Sequence, residues 1–223
     1  MQKELIEQAF RAEGGALGAA TAGLGEEDWA RATRCEPWAV AELLAHVRVA
    51  VGRVAEMLAA PEPERASVTA VGYYRPDERF DAATNSARIA LARDAAGADP
   101  AGEFARTWRD TAARFEAEGE GRVVRTRHGD PMLLTEFMVT RVVELAVHGL
   151  DLADALGRPA WLTEEASDVL EALLLKGADG PSVRSALGWD RATFLRKATG
   201  RAELDAAEQA EVERAGITWL TLG

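Results

Sequence analysis

Thr140–Leu152 reads T-R-V-V-E-L-A-V-H-G-L-D-L and lies inside the longest helical pattern of the chain, from about Pro131 to Leu156. Leu134, Met138, Val142, Leu145 and Leu152 fall at core spacing, so this helix is expected to pack against others along most of its length. Glu144 and His148 are four residues apart, hence one turn apart on the same helix face. Such a pair makes either a local hydrogen bond or two ligands for one divalent metal. Arg141 and Asp151 share that face. They read either as ion pairs along the helix or as groups that orient the ligands.

Working outward, helical periodicity recurs along the chain. A helix is expected from Gln2 to about Leu24, with Gly14 and Gly15 weakening its middle. Val40–Ala59 carries a clear apolar stripe, and His46 sits near its edge. Ala39 stands where a capping Ser or Thr would fall, so the start of this helix is expected to fray. Pro61 and Pro63 end it, and Glu62–Pro76 reads as a loop containing Tyr73 and Tyr74. Further helices are predicted over Asp77–Ala96 and, after the Asp99-Pro100 start signal, to about Glu118. Gly119–Gly129 is the one strand-like piece, and Gly157 stops the central helix.

A smaller C-terminal region follows from about residue 160. Thr163 caps a helix reaching about Gly177, Gly180-Pro181 breaks the chain, and Asp190–Thr199 forms another helix. Asp205 and Glu208 make a capping box before the apolar tail Ile217–Leu222. The expected fold class is all-α, with four or five long helices, organised as a bundle over residues 1–160 and a C-terminal region over 161–223 that packs on it. No internal repeat or low-complexity tract interrupts this pattern.

Composition narrows the function. A hydrophobic content of 48% supplies a core, and a net charge of −11 argues against nucleic acid or an anionic membrane as partner. One cysteine excludes an internal disulfide and fits a reducing cytoplasm. The charged N-terminus, M-Q-K-E-L-I-E-Q-A-F, is unlike a signal peptide, and no run of 18 apolar residues is present. A cytoplasmic monomer or homodimer is expected.

Among chemical candidates, His46 faces the interior of a bundle from a second helix, where facing helices build metal sites. Together with Glu144 and His148 it forms a set of three protein ligands, the pattern of a catalytic site with open positions. His128 reads as an exposed loop histidine, and Cys35 as a packed or idle thiol with no local base. Trp108, Phe115, Trp161 and Trp189 read as core. No phosphate-cradling glycine motif and no G-x-S-x-G elbow occurs.

Two stretches carry a family resemblance. C-E-P-W-A-V-A-E-L-L-A-H-V, Cys35–Val47, resembles the C-P-G-W signature and following L-x-x-H helix of the mycothiol-dependent maleylpyruvate isomerase family. R-V-V-E-L-A-V-H-G-L-D-L-A-D-A-L-G, Arg141–Gly157, resembles its second signature, R-x-x-E-x-x-V-H-G-x-D-L. The likeness covers roughly residues 1–160 and implies a DinB-like four-helix bundle. It further implies a divalent metal, usually zinc, at His46, Glu144 and His148, with mycothiol binding it as thiolate. The isomerase adds the thiol to a conjugated double bond, allows rotation and releases the thiol. Its C-terminal catalytic arginine matches Arg201 best, in A-T-G-R, with Arg196 second. Glu36 and Ala39 depart from the family pattern. The resulting expectation is a zinc enzyme that uses mycothiol or a related thiol to isomerise or S-conjugate a small electrophile. The alternatives are a metal-binding sensor or scaffold without turnover and, more distantly, a helical ligand-binding regulator. Arg201, Arg53 and Arg141 are the cations expected to meet an anionic substrate.

Overall fold

A computed structural model describes residues 1–75 and 82–220. It is mainly helical, 64% helix, with one small two-stranded hairpin among the described residues. Four long helices form the bundle: α1 (Lys3–Thr21), α3 (Val40–Ala59), α6 (Pro100–Ala117) and α7 (Leu134–Leu156). Each packs against two others, α1 against α6 and α7, and α3 against the same two. That closes a four-membered ring with α1 opposite α3.

The apolar pattern of α7 explains its place. Of its 23 residues, 17 are buried, because α8 (Glu164–Leu174) and the short α4 (Ala70–Tyr73) cover faces that the bundle leaves open. Gly157, in the left-handed region at φ 63°, terminates it; the Gly157 and Arg158 N–H groups donate to the carbonyls of Asp154 and Ala153. The glycines of α1 do not break that helix. A Cβ on Gly14 would stand 3.1 Å from the Trp108 ring, so the missing side chain is what lets α6 lay Trp108 across α1.

Several local expectations change. The start of α3 is held rather than frayed: the Glu42 carboxylate accepts from the Ala39 N–H at 2.9 Å, and the Val40 N–H donates to the Arg31 carbonyl. Glu42 thus supplies half a capping box although Ala39 has no side-chain acceptor. Residues 131–133 are not helical. Pro131–Leu133 (β2) pairs antiparallel with Val123–Arg125 (β1), Val124 opposite Met132, and α7 begins at Leu134. The expected helix over 77–96 is seen as α5 (Ala82–Ala95), its first residues lying outside the described ones. The segment 62–76, read as loop, contains α4, capped by the Thr69 hydroxyl. Gly180-Pro181 opens a helix instead of breaking one, since proline is tolerated in a first turn: α9 spans Gly180–Leu187. Phe115 is core, whereas Trp108, Trp161 and Trp189 are only partly buried against it.

The C-terminal helices build outward on α8, which contacts both α1 and α7; α9 and α10 (Arg191–Ala198) contact α8, and α11 (Ala206–Arg214) contacts α9. Glu13 ties this region to the bundle. It is fully buried in α1, and its Oε2 accepts from the Thr163 N–H at 2.9 Å and hydroxyl at 2.7 Å, at the N-cap of α8. No described helix is long and apolar enough to cross a membrane.

Candidate metal centre

α3 and α7 face each other across the bundle, which brings His46 to Glu144 and His148. Glu144 Oε2 lies 3.5 Å from His46 Nε2 and 3.4 Å from His148 Nε2, and the three ligand atoms all lie within 4.8 Å of one another. With metal–ligand bonds of about 2.0–2.1 Å, two ligands on a tetrahedral ion stand about 3.3–3.4 Å apart. The two measured edges fit that spacing, and two imidazoles with one carboxylate are a donor set suited to zinc.

Each donor is oriented by a neighbour. His148 Nδ1 lies 3.0 Å from Asp151 Oδ2, one turn along α7, so its Nε2 faces Glu144. The Trp38 ring stacks on His46 with centroids 4.6 Å apart and an interplanar angle of 27°. Glu144 Oε1 lies 3.6 Å from Arg141 Nη2; the Arg141 guanidinium is itself buried, donating to Thr140 Oγ1 and to the Ala50 carbonyl. Burial drives the His46 pKa down, so its imidazole is neutral and ready to ligate. Burial opposes charge on Glu144 as well, but hydrogen bonds from both histidines and the Arg141 charge hold it well below the usual carboxylate range. For His148 the hydrogen-bonding contacts with Asp151, Cys35 and Glu144 outweigh burial and set it well above the ordinary value. A metal here therefore displaces a proton from His148.

Asp151 is fully buried and serves as a hub. Arg201 binds it through both Nε, 3.0 Å from Oδ1, and Nη2, 2.8 Å from Oδ2. Burial resists ionisation of this carboxyl, yet its bonds to His148 and Arg201 hold its pKa below the ordinary aspartate value. The Cys35 thiol donates to Oδ2 at 3.3 Å and stands 4.0 Å from His148 Nδ1. Of the two sequence readings, packed or idle, Cys35 is packed against the core, and its thiol's partners come from a helix more than a hundred residues away. Cys35, His148 and Asp151 form a second cluster of ligand-type atoms. The guanidinium on Asp151 and the occupied His148 Nδ1 make it the poorer fit for a cation.

The three ligand candidates open on a cavity of about 460 Å³. Among the described residues, five arginines line it (Arg53, Arg88, Arg127, Arg141 and Arg201) against two glutamates, Glu36 and Glu144, the reverse of the chain's net charge of −11. Burial, and then the charge of Arg88 ahead of Arg53 and Arg141, depresses the Arg127 pKa, a sign of crowded positive charge. His128 also lines the cavity, its Nε2 accepting from Arg127 Nε at 3.1 Å, rather than projecting into solvent. The β1–β2 turn folds it back. Arg201 and Arg53 are on the cavity, whereas Arg196 pairs with Asp154 at 2.6 and 2.8 Å and is absent from the lining. Sequence reading missed Trp38, Arg88 and Arg127. Only Trp38 carried a signal, its place in the C-x-x-W stretch just before α3.

No curated protein and no solved structure matches the chain. Residues 10–153 match the family described as "Mycothiol maleylpyruvate isomerase N-terminal domain". That span holds the four-helix ring short of the start of α1 and the last residues of α7, with His46, Glu144 and His148 inside it, and the chain belongs to this family.

Proposed function

We propose that the protein is a metal-dependent enzyme that uses mycothiol, or a related low-molecular-weight thiol, to isomerise or S-conjugate a small anionic electrophile. The observation that carries this reading is the convergence of two Nε2 atoms and one carboxylate oxygen at tetrahedral spacing on an arginine-lined cavity. In it His46, Glu144 and His148 hold the metal, which is zinc on the family resemblance. A divalent ion there stabilises a bound thiolate at neutral pH.

The chain's own residues supply the rest. Asp151 holds the His148 tautomer, and Trp38 holds the plane of the His46 ring. Hydrogen bonds from His148 and His46, and then the Arg141 charge, keep Glu144 ionised. The arginines offset the repulsion an acidic protein exerts on a carboxylate substrate, and on the family resemblance Arg201 is the one that stabilises charge developing on the electrophile. Residues 1–160 then act as the metal-binding bundle and residues 161–223 contribute Arg201.

Thiol-dependent turnover of an α,β-unsaturated dicarboxylate tests the reading. Zinc-loaded protein is expected to require both mycothiol and zinc, and Arg201→Ala to lower kcat about 10²-fold while zinc content stays intact. Full zinc occupancy in a His46→Ala/His148→Ala double variant refutes the site. Zinc binding with no thiol-dependent reaction favours a sensor or scaffold instead.

A further inference from the structure

We infer that Arg34, outside the cavity, is the residue that positions Arg201 over it. Arg201 reaches the bundle from a turn beyond α10, where Gly200 adopts φ 70° and the Ala202 N–H closes on the Arg196 carbonyl at 3.1 Å. The carbonyls of Gly200 and Arg201 are left outside any helix ladder. The Arg34 guanidinium takes both: Nη2 donates to Gly200 O at 2.9 Å and Nη1 to Arg201 O at 2.8 Å. Such a fork grips two acceptors at once, which fixes the direction of the turn as well as its place.

The same side chain bears on the Arg201 head group. Arg34 Nε lies 3.9 Å from Asp151 Oδ1, the oxygen to which Arg201 Nε donates. One buried carboxylate therefore faces two guanidiniums, and its single negative charge cannot neutralise both. The Arg201 side keeps net positive charge toward the cavity although its ion pair is bidentate. Arg34 does not line the cavity, and its side chain is 43% exposed, so it is a positioning residue. Its neighbour Cys35 donates to the same carboxylate, so the segment before α3 meets the C-terminal turn at Asp151 from two successive residues.

This inference rests on the role proposed for Arg201, and its test separates the two. The Arg201 Nε–H, held by Asp151, is expected to give a protected ¹H–¹⁵N resonance in the zinc-loaded full chain, assigned by its loss in Arg201→Lys. Arg34→Ala is expected to speed its hydrogen exchange roughly tenfold, with zinc affinity unchanged. Arg34→Lys, which cannot supply the fork, should fall between. In the mycothiol assay, Arg34→Ala should lower kcat/KM about tenfold in the wild-type background and not at all in Arg201→Ala, because it acts only through Arg201. Unchanged exchange of the Arg201 Nε–H overturns the inference, as does an equal loss of turnover in both backgrounds. Unaltered turnover in Arg201→Ala alone instead removes Arg201 from the reaction, while the exchange measurement still decides whether Arg34 holds it.

Discussion

Replacing Asp151 by asparagine removes one charge from the hub while preserving its shape. The two carboxylate oxygens accept from four groups: Arg201 Nε on Oδ1, and Arg201 Nη2, His148 Nδ1 and the Cys35 thiol on Oδ2. An asparagine has one oxygen, so in either orientation its NH₂ confronts at least one of these donors. Charge-assisted hydrogen bonds contribute about 1.5–3 kcal/mol each, and losing one partner of a buried ion pair costs about 3–5 kcal/mol. Arg201 is 17% exposed and regains some hydration, and one acceptor survives. The expected loss for the chelated protein is therefore about 2 kcal/mol, a fall of about 4–8 °C in thermal midpoint for a chain of this size. Because His148 keeps a weaker orienting partner, zinc affinity should drop about tenfold, at the low end for groups behind a ligand. Thermal unfolding with and without chelator, and zinc competition against a chromophoric chelator, measure both. An unchanged midpoint together with unchanged zinc affinity would falsify the account of Asp151 as an orienting hub.

Other consequences are independent of it. Purified protein should carry one chelator-removable divalent metal per chain, and zinc at 100 times its dissociation constant should raise unfolding stability by about 2.7 kcal/mol; equal stability with and without zinc argues against an intact site. Burial raises the Glu13 pKa against its Thr163 bonds, with Glu165 adding repulsion. The folded state thus holds this proton more tightly than the unfolded one, and the associated stability is lost as pH rises from the ordinary glutamate value through the raised one. The stability of Glu13→Gln relative to wild type should accordingly improve from pH 4 to pH 7 in paired urea titrations, and a difference that is flat or declines with pH contradicts this. Gly14→Leu should cost about 1–3 kcal/mol, because even a Cβ there meets the Trp108 ring at 3.1 Å; a neutral effect in denaturant unfolding would show that α6 is free to shift away from α1.

Most of the architecture is legible in local pattern. The four bundle helices follow from apolar periodicity, and Gly157, Thr163 and the Asp205/Glu208 pair mark ends that the structure reproduces. The Glu144/His148 pair is a matter of helix geometry within α7, so its spacing alone puts both side chains on one face. Joining His46 to them needed only that α3 and α7 pack together, which their stripes make the natural outcome. Local pattern failed where partners are remote. Pro131–Leu133 continues an apolar run that reads as helix, but Val123–Arg125 competes for its backbone and draws it into a hairpin. Cys35 has no base nearby in sequence, and its thiol finds Asp151 only when the segment before α3 folds against α7. The Asp151–Arg201 pair spans 50 residues, and the cavity's arginines come from five separate stretches of an acidic chain. Periodicity and capping are properties of a few consecutive residues, so the sequence alone determined the long helices and the shared face of Glu144 and His148. Which charges meet across the bundle depends on packing between distant segments, and that only the tertiary structure decided.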